Sequence, residues 1–262
     1  MPSDRRPAVS AAFDRVVIIT GAASGIGAET ARTLAKPGTA LLIHTRKNEA
    51  GLAGVAESCQ ALGAQVATHL GDLGDPTVPA ALVAAARAAF GRVDQIVSNA
   101  GQAKRSRFGE LTPEELVAAF DSMPVAFLRL VTAALPDIET STCGRIVAVS
   151  SFVAHIFGTA GLNFPATSAA KAALEALVKS LAVQLAPTGA TANAVVPGFT
   201  RKQGGGHLAA TPDSLKTAVA VTPTDRLTDP ADIAATVAFL LSPGARQITG
   251  QAIHVNGGLN LP

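Results

Sequence analysis

Apolar positions fall into two alternating patterns along the chain. Short continuous aliphatic runs, such as Val16-Val17-Ile18-Ile19, have the character of strands buried on both faces, as in a parallel sheet covered by helices. Longer stretches with helical spacing lie between them and are closed by Gly or Pro. This pattern predicts strands at 16–19, 40–44, 65–69, 95–98, 145–149, 191–196 and 252–255. It predicts helices at 25–36, 48–62, 76–90, 112 to about 136, about 167 to 186, and 229 to about 241. Thr112-Pro113-Glu114-Glu115 supplies an N-cap, a proline at the first helical position and a glutamate at the third, a capping box. Residues 1–13 are a polar, Ala-rich arm expected to fray. Residues 199–224, with Gly204-Gly205-Gly206 inside, are expected to form a substrate loop. Strands separated by helices throughout imply right-handed crossovers. The expected fold is α/β, a single-domain Rossmann-type doubly wound parallel sheet flanked by helices over 14–262.

Composition agrees with one such domain. The chain has 262 residues and 26.3 kDa, with 48% hydrophobic and 15% charged residues, too apolar for disorder. No uninterrupted apolar run reaches the ~20 residues that span a bilayer. Lys plus Arg less Asp plus Glu is 21 − 19 = +2, which gives no footprint for nucleic acid despite a pI near 8.7. No apolar run follows the charges of residues 1–7, so no signal peptide is expected. Cys59 and Cys143 form no framework. The expectation is therefore a reduced, cytoplasmic chain that binds neither nucleic acid nor membrane and holds no metal. Trp and Tyr are both absent, so no mechanism here uses a phenol.

Thr20-Gly21-Ala22-Ala23-Ser24-Gly25-Ile26-Gly27 follows a predicted strand and opens a predicted helix. In that context Gly21 allows a tight turn, Gly25 lets the backbone approach a pyrophosphate, and Gly27 lets helix and strand pack closely. Free N–H groups and the helix dipole would hold the phosphates. Just after the second strand the chain reads His44-Thr45-Arg46-Lys47-Asn48. Thr45 stands where an acid would bind the ribose of NAD, and the guanidinium of Arg46 suits the 2′-phosphate of NADP. NADP is the expected cofactor, with Lys47 or Ser24 assisting Arg46.

Thr-Gly-x-x-x-Gly-Ile-Gly resembles the short-chain dehydrogenase/reductase family, and further matches follow in order along almost the whole chain. Asp72-Leu73 stands where that family contacts adenine. Ser98-Asn99-Ala100-Gly101 is similar to its Asn-Asn-Ala-Gly after strand four. Ser150-Ser151 ends strand five, and Ser168 to Leu174 resembles the active-site helix. Asn193 to Gly198 resembles the nicotinamide turn, with Pro197-Gly198, and Ile248 to Gly258 the C-terminal signature. The resemblance implies cofactor contacts from Gly21, Ser24, Gly25, Ile26, Gly27, Arg46, Asp72, Leu73, Asn99, Ala100, Gly101, Lys171, Pro197 and Gly198. It implies hydride transfer between nicotinamide and a carbonyl or secondary alcohol, in a homotetramer or dimer.

The family pattern also implies a catalytic Ser, Tyr, Lys and Asn. Ser151 and Lys171 match. Thr167 stands four residues before Lys171, where the Tyr belongs, and Met123, followed by Pro124, stands where the Asn belongs. Lys202 replaces a Thr of the nicotinamide turn, although Thr200 is near. A tyrosine starts near pKa ~10 and a neighbouring cation lowers it, whereas an aliphatic hydroxyl starts far higher. Thr167 can therefore donate a hydrogen bond but is a poor general acid. Loss of a positioned acid costs roughly 10²–10⁴ in rate. His155, four residues after Ser151, and more weakly His207 have the right ordinary pKa to supply a proton. Phe152 and Phe164 suit an apolar pocket. Three readings follow: an NADP(H)-dependent oxidoreductase with an altered proton relay, a redox-inactive nucleotide-binding protein, and a lyase or isomerase using the same pocket.

Overall fold

The computed structural model describes residues 13–201 and 212–261. Most of the expected arm, together with Lys202, Gly204-Gly205-Gly206 and His207, lies outside the described residues. Seven strands form one parallel sheet in the order β3-β2-β1-β4-β5-β6-β7. They are β1 (Arg15–Ile19), β2 (Thr39–Thr45), β3 (Gln65–Leu70), β4 (Gln95–Ser98), β5 (Arg145–Val149), β6 (Thr191–Pro197) and β7 (Ala252–Val255). The aliphatic runs made all seven legible, and the sheet is the expected doubly wound one.

Alternation along each strand splits the core into two layers. Ile18, Leu42, Ile96 and Ile146 face one way. They pack on α3 (Val78–Phe90), α5 (Ala126–Thr140) and α6 (Pro165–Leu185) through Leu82, Leu130 and Leu174. Val17, Leu41, Val97, Val147 and Val195 face the other way. They meet α1 (Gly25–Leu34), α2 (Glu49–Ala61) and α8 (Pro230–Leu240) through Leu34, Val55 and Val237. Ile18 lies between Leu42 and Ile96 in register, so the central strand is covered on both faces and both edges.

Several boundaries differ from the sequence expectation. The first helix stops at Leu34 rather than residue 36, because Pro37 forces the preceding backbone out of the helical region and Ala35 is already extended. The fourth predicted helix is three segments: α4 (Pro113–Phe120), a π turn at Asp121–Val125 and α5. Pro124 sits inside that π turn, the place where a missing N–H is absorbed by a wider turn. The run then continues through Pro136 to Thr140, because Ile138 is buried and Asp137 pairs with Arg87 of α3 at 2.8 Å. Residues 113–140 are long and apolar enough, by length and composition alone, to cross a membrane, although charged residues interrupt them. Their buried side chains, including Phe127, Leu130 and Ile138, belong to the domain core. Residues 199–224 are also not all loop, since α7 occupies Pro212–Ala220. Pro212 at the first position and Asp213 behind it were the available signal.

Candidate active site

The strand order reverses between β1 and β4, and a cleft of about 490 Å³ opens beyond the carboxyl ends of the central strands. Gly21, Ser24, Ile26 and Arg46 line one side of it, with Asp72 and Leu73 nearby. Asn99, Ala100 and Gly101 line its middle, and Ser151, Thr167, Lys171, Pro197 and Gly198 the other end. Residues scattered over the chain, picked out from sequence, therefore share one concavity. His155 does not line it.

The glycine turn is tightly built. Gly21 and Gly25 have φ of 68° and 56°, the left-handed region that favours glycine. A Cβ on Gly27 would collide with the Gly21 carbonyl oxygen and lie 2.6 Å from Asn99 Nδ2. A Cβ on Gly25 would meet nothing within 4 Å, since it would project into open space at the start of α1. Ser24 occupies the N-cap position without a side-chain cap bond, which leaves its hydroxyl available at the dipole's positive end. A pyrophosphate cradle at this turn fits the chain present.

Two side chains brace the turn from behind. Asn99 Nδ2 donates to the carbonyl oxygens of Thr20 and Gly21, both at 3.0 Å. The Thr20 hydroxyl accepts from the N–H groups of Asn99 and Ala100. The Asn99 amide, expected to contact cofactor, is thus committed to the turn itself. His44 Nδ1 accepts from the Gly21 N–H at 3.5 Å while Nε2 donates to the Gly71 carbonyl at 2.9 Å. Burial holds the His44 imidazole below its ordinary pKa, which keeps this neutral tautomer in place at neutral pH. Sequence reading missed His44 because its role depends on the neighbouring strand.

Arg46 is half-exposed at the cleft and lies 3.6 Å from Asp72 Oδ2. An exposed pair of this kind holds little energy, so the guanidinium can turn to a phosphate.

At the other end Lys171 is buried, and its ammonium donates to the Val149 carbonyl at 2.6 Å. Burial lowers its pKa from 10.5 to about 8, and the Glu175 carboxylate on the next turn of α6 opposes the shift. Ser151 caps the short turn Phe152–Ala154, accepting from the Val153 N–H at 3.5 Å. Thr167 is occupied. Its hydroxyl donates to the Gln102 carbonyl and accepts from the Lys104 N–H, both at 3.3 Å. It ties the loop after β4 to α6. Met123 is buried in the π turn, near Gly101 and Lys171. Beside Ser151, Phe152, Val153 and Phe164 form an apolar cluster with Phe199 and Leu259 packed on it.

Sequence reasoning also missed Glu175. It is buried, accepts a hydrogen bond from the Ser150 hydroxyl, and lies 3.0 Å from His155 Nε2. The available signal was its spacing of four residues from Lys171 on a helix.

Residues 21–260 match a family model described as Enoyl-(Acyl carrier protein) reductase. The chain is 34% identical to an uncharacterized oxidoreductase of Methylorubrum extorquens over 247 residues, covering 94% of this chain and 97% of that one. It is 34% identical to the 3-oxoacyl-[acyl-carrier-protein] reductase FabG of Vibrio cholerae over 246 residues, with the same 94% and 97% coverage. Among solved structures, a short chain dehydrogenase from Burkholderia cenocepacia in complex with NADP superposes with a TM-score of 0.86 at 28% identity, covering 96% of this chain and all of that one.

Proposed function

The chain belongs to the short-chain dehydrogenase/reductase family, and we propose that it is an NADP(H)-dependent oxidoreductase interconverting a small carbonyl compound and its secondary alcohol. The observation that carries this reading is Lys171. A buried ammonium beside Ser151, at the end of a cleft that starts at a glycine-rich helix N-terminus, is costly unless it has work to do there. The NADP complex of the Burkholderia cenocepacia structure supports the cofactor.

In this reading Gly21, Ser24, Gly25, Ile26 and Gly27 hold the pyrophosphate. Arg46 meets the 2′-phosphate, and Asp72 and Leu73 flank the adenine. Asn99, Ala100 and Gly101 form the floor, and Pro197-Gly198 bound the nicotinamide end. NADPH, once bound, supplies the hydride. Lys171 grips the ribose and places a positive charge near the carbonyl oxygen, and the Ser151 hydroxyl orients that oxygen. The Phe152–Phe164 cluster lines a small separate pocket rather than the cleft itself. The exposed Val117, Leu128 and Val183 on α4, α5 and α6 suit contacts in a homo-oligomer, a tetramer or dimer.

One observation favours a second reading, a nucleotide-binding protein without redox activity. The hydroxyl nearest the place of a general acid, that of Thr167, is committed to the 102–104 loop. Titration with NADPH and NADH, followed by a carbonyl panel monitored for NADPH oxidation, separates the two. Binding with turnover supports the oxidoreductase, and binding without turnover the second reading.

A further inference from the structure

The buried Glu175 carboxylate is the centre of a polar chain that leads from Ser150 at the cleft to the His155 imidazole. The Ser150 hydroxyl lines the cleft and donates to Glu175 Oε1. The same oxygen lies 3.0 Å from His155 Nε2. The His155 ring meets the His254 ring edge-on at 4.6 Å between centroids, and His254 Nδ1 lies 3.3 Å from Asn256 Nδ2. Glu175 is nearly sealed, with a side-chain exposure of 7%, whereas His155 reaches 27%. The chain thus runs from a buried hydroxyl at the cleft to an imidazole open to water. An acid in the middle of an apolar helix face is expensive without a task. Here it touches both the group facing the cleft and the group facing solvent.

We propose that Ser150, Glu175 and His155, with His254 behind them, form a proton relay that delivers a proton from solvent to the carbonyl oxygen in place of a tyrosine. This rests on the oxidoreductase reading above. For each carbonyl reduced, the alkoxide oxygen takes the Ser150 hydroxyl proton and the Ser150 oxygen takes one from the Glu175 carboxyl. Glu175 recovers its proton from the His155 imidazolium, and His155 recovers its own from water. Bonds made and broken balance along the chain, and one solvent proton is consumed. The charges facing Glu175 are Lys171 on its own helix, His155 after β5 and His254 on β7. His155 is the immediate proton source for Glu175. Ser150 touches the reacting oxygen and is catalytic in this scheme, whereas Glu175 and His155 act through it as positioning residues for the proton.

The test has two arms. In the first, the imidazole C–H signals of the ligand-free protein are titrated by NMR. The Glu175 charge raises the His254 pKa and His155 lowers it. Glu175→Gln should therefore move the His254 midpoint down and His155→Gln should move it up. In the second, NADPH-dependent carbonyl reduction is followed against pH. Ser150→Ala, Glu175→Gln and His155→Ala should each lose about tenfold or more, within what a positioned acid supplies, while NADPH affinity stays unchanged. Added imidazole should restore His155→Ala but not Glu175→Gln. An active parent whose folded Glu175→Gln and His155→Ala variants match its rate and pH profile would overturn the relay alone. A parent that binds NADPH and reduces no carbonyl would overturn the oxidoreductase reading and the relay with it.

Discussion

The Thr167 hydroxyl lies 3.3 Å from the carbonyl oxygen of Gln102, to which it donates. A side chain four residues before the buried Lys171 is thereby a fastener for the loop after β4. Thr167→Val should loosen that loop and weaken NADPH binding, with the hydride step changed less than about tenfold, because no general acid is removed. Thr167→Tyr should place a phenol beside the Lys171 cation, which lowers its pKa. Carbonyl reduction should then rise about tenfold, and the rise should vanish when Lys171→Ala is added. Single-turnover rates measured with saturating NADPH check both outcomes.

Arg46 should set cofactor choice. NADPH should bind at least about tenfold more tightly than NADH, or about 1.4 kcal/mol. Arg46→Ala should erase most of that difference while freeing Asp72 from its pair. Fluorescence titration of the two reduced dinucleotides reads this directly, since the chain has no Trp or Tyr to obscure the signal.

Gly25→Val should abolish dinucleotide binding. A Cβ there points into open space at the start of α1, where the phosphates would lie, and φ of 56° strains any branched residue. Circular dichroism should report an intact fold alongside the lost NADPH affinity. Undiminished affinity in the folded variant would place the phosphates elsewhere.

His44 should make stability fall with acid. Its folded pKa lies below the ordinary 6.5, so its contribution is complete above pH 6.5 and lost as pH falls toward the depressed folded value. One extra proton taken up on unfolding corresponds to roughly 1.4 kcal/mol per pH unit. His254 is shifted the same way and adds to the slope. Chemical denaturation of the parent between pH 7 and 5 should show the decline. His44→Gln should make it shallower, leaving the share due to His254.

The sheet was legible because β-branched runs buried on both faces carry their own signature, and β4, β5 and β7 have the bounds expected from the sequence. Helix ends were less so. Residues 137–140 stay helical beyond Pro136 because Arg87 and the core hold them, a contact invisible to local pattern. The nucleotide turn was legible because its residues are contiguous. Its supports were not: His44 acts from β2 on β1, and Asn99 proved to brace the turn rather than face the cleft alone. The Lys171 end of the cleft was least legible. Ser150, Glu175, His155 and His254 come from three separated segments, and Thr167 gains its partners only when the loop after β4 folds over α6.

The account as a whole rests on carbonyl reduction with NADPH by a chain that has no tyrosine. The most direct measurement is the fall in NADPH absorbance with a panel of ketones and 3-oxoacyl thioesters, with the alcohol quantified in the same samples. The expected result is alcohol formed mole for mole with NADPH consumed, at least about tenfold slower with NADH at equal subsaturating concentration, and lost in Lys171→Ala. Tight NADPH binding with no alcohol from any carbonyl in the panel would contradict it.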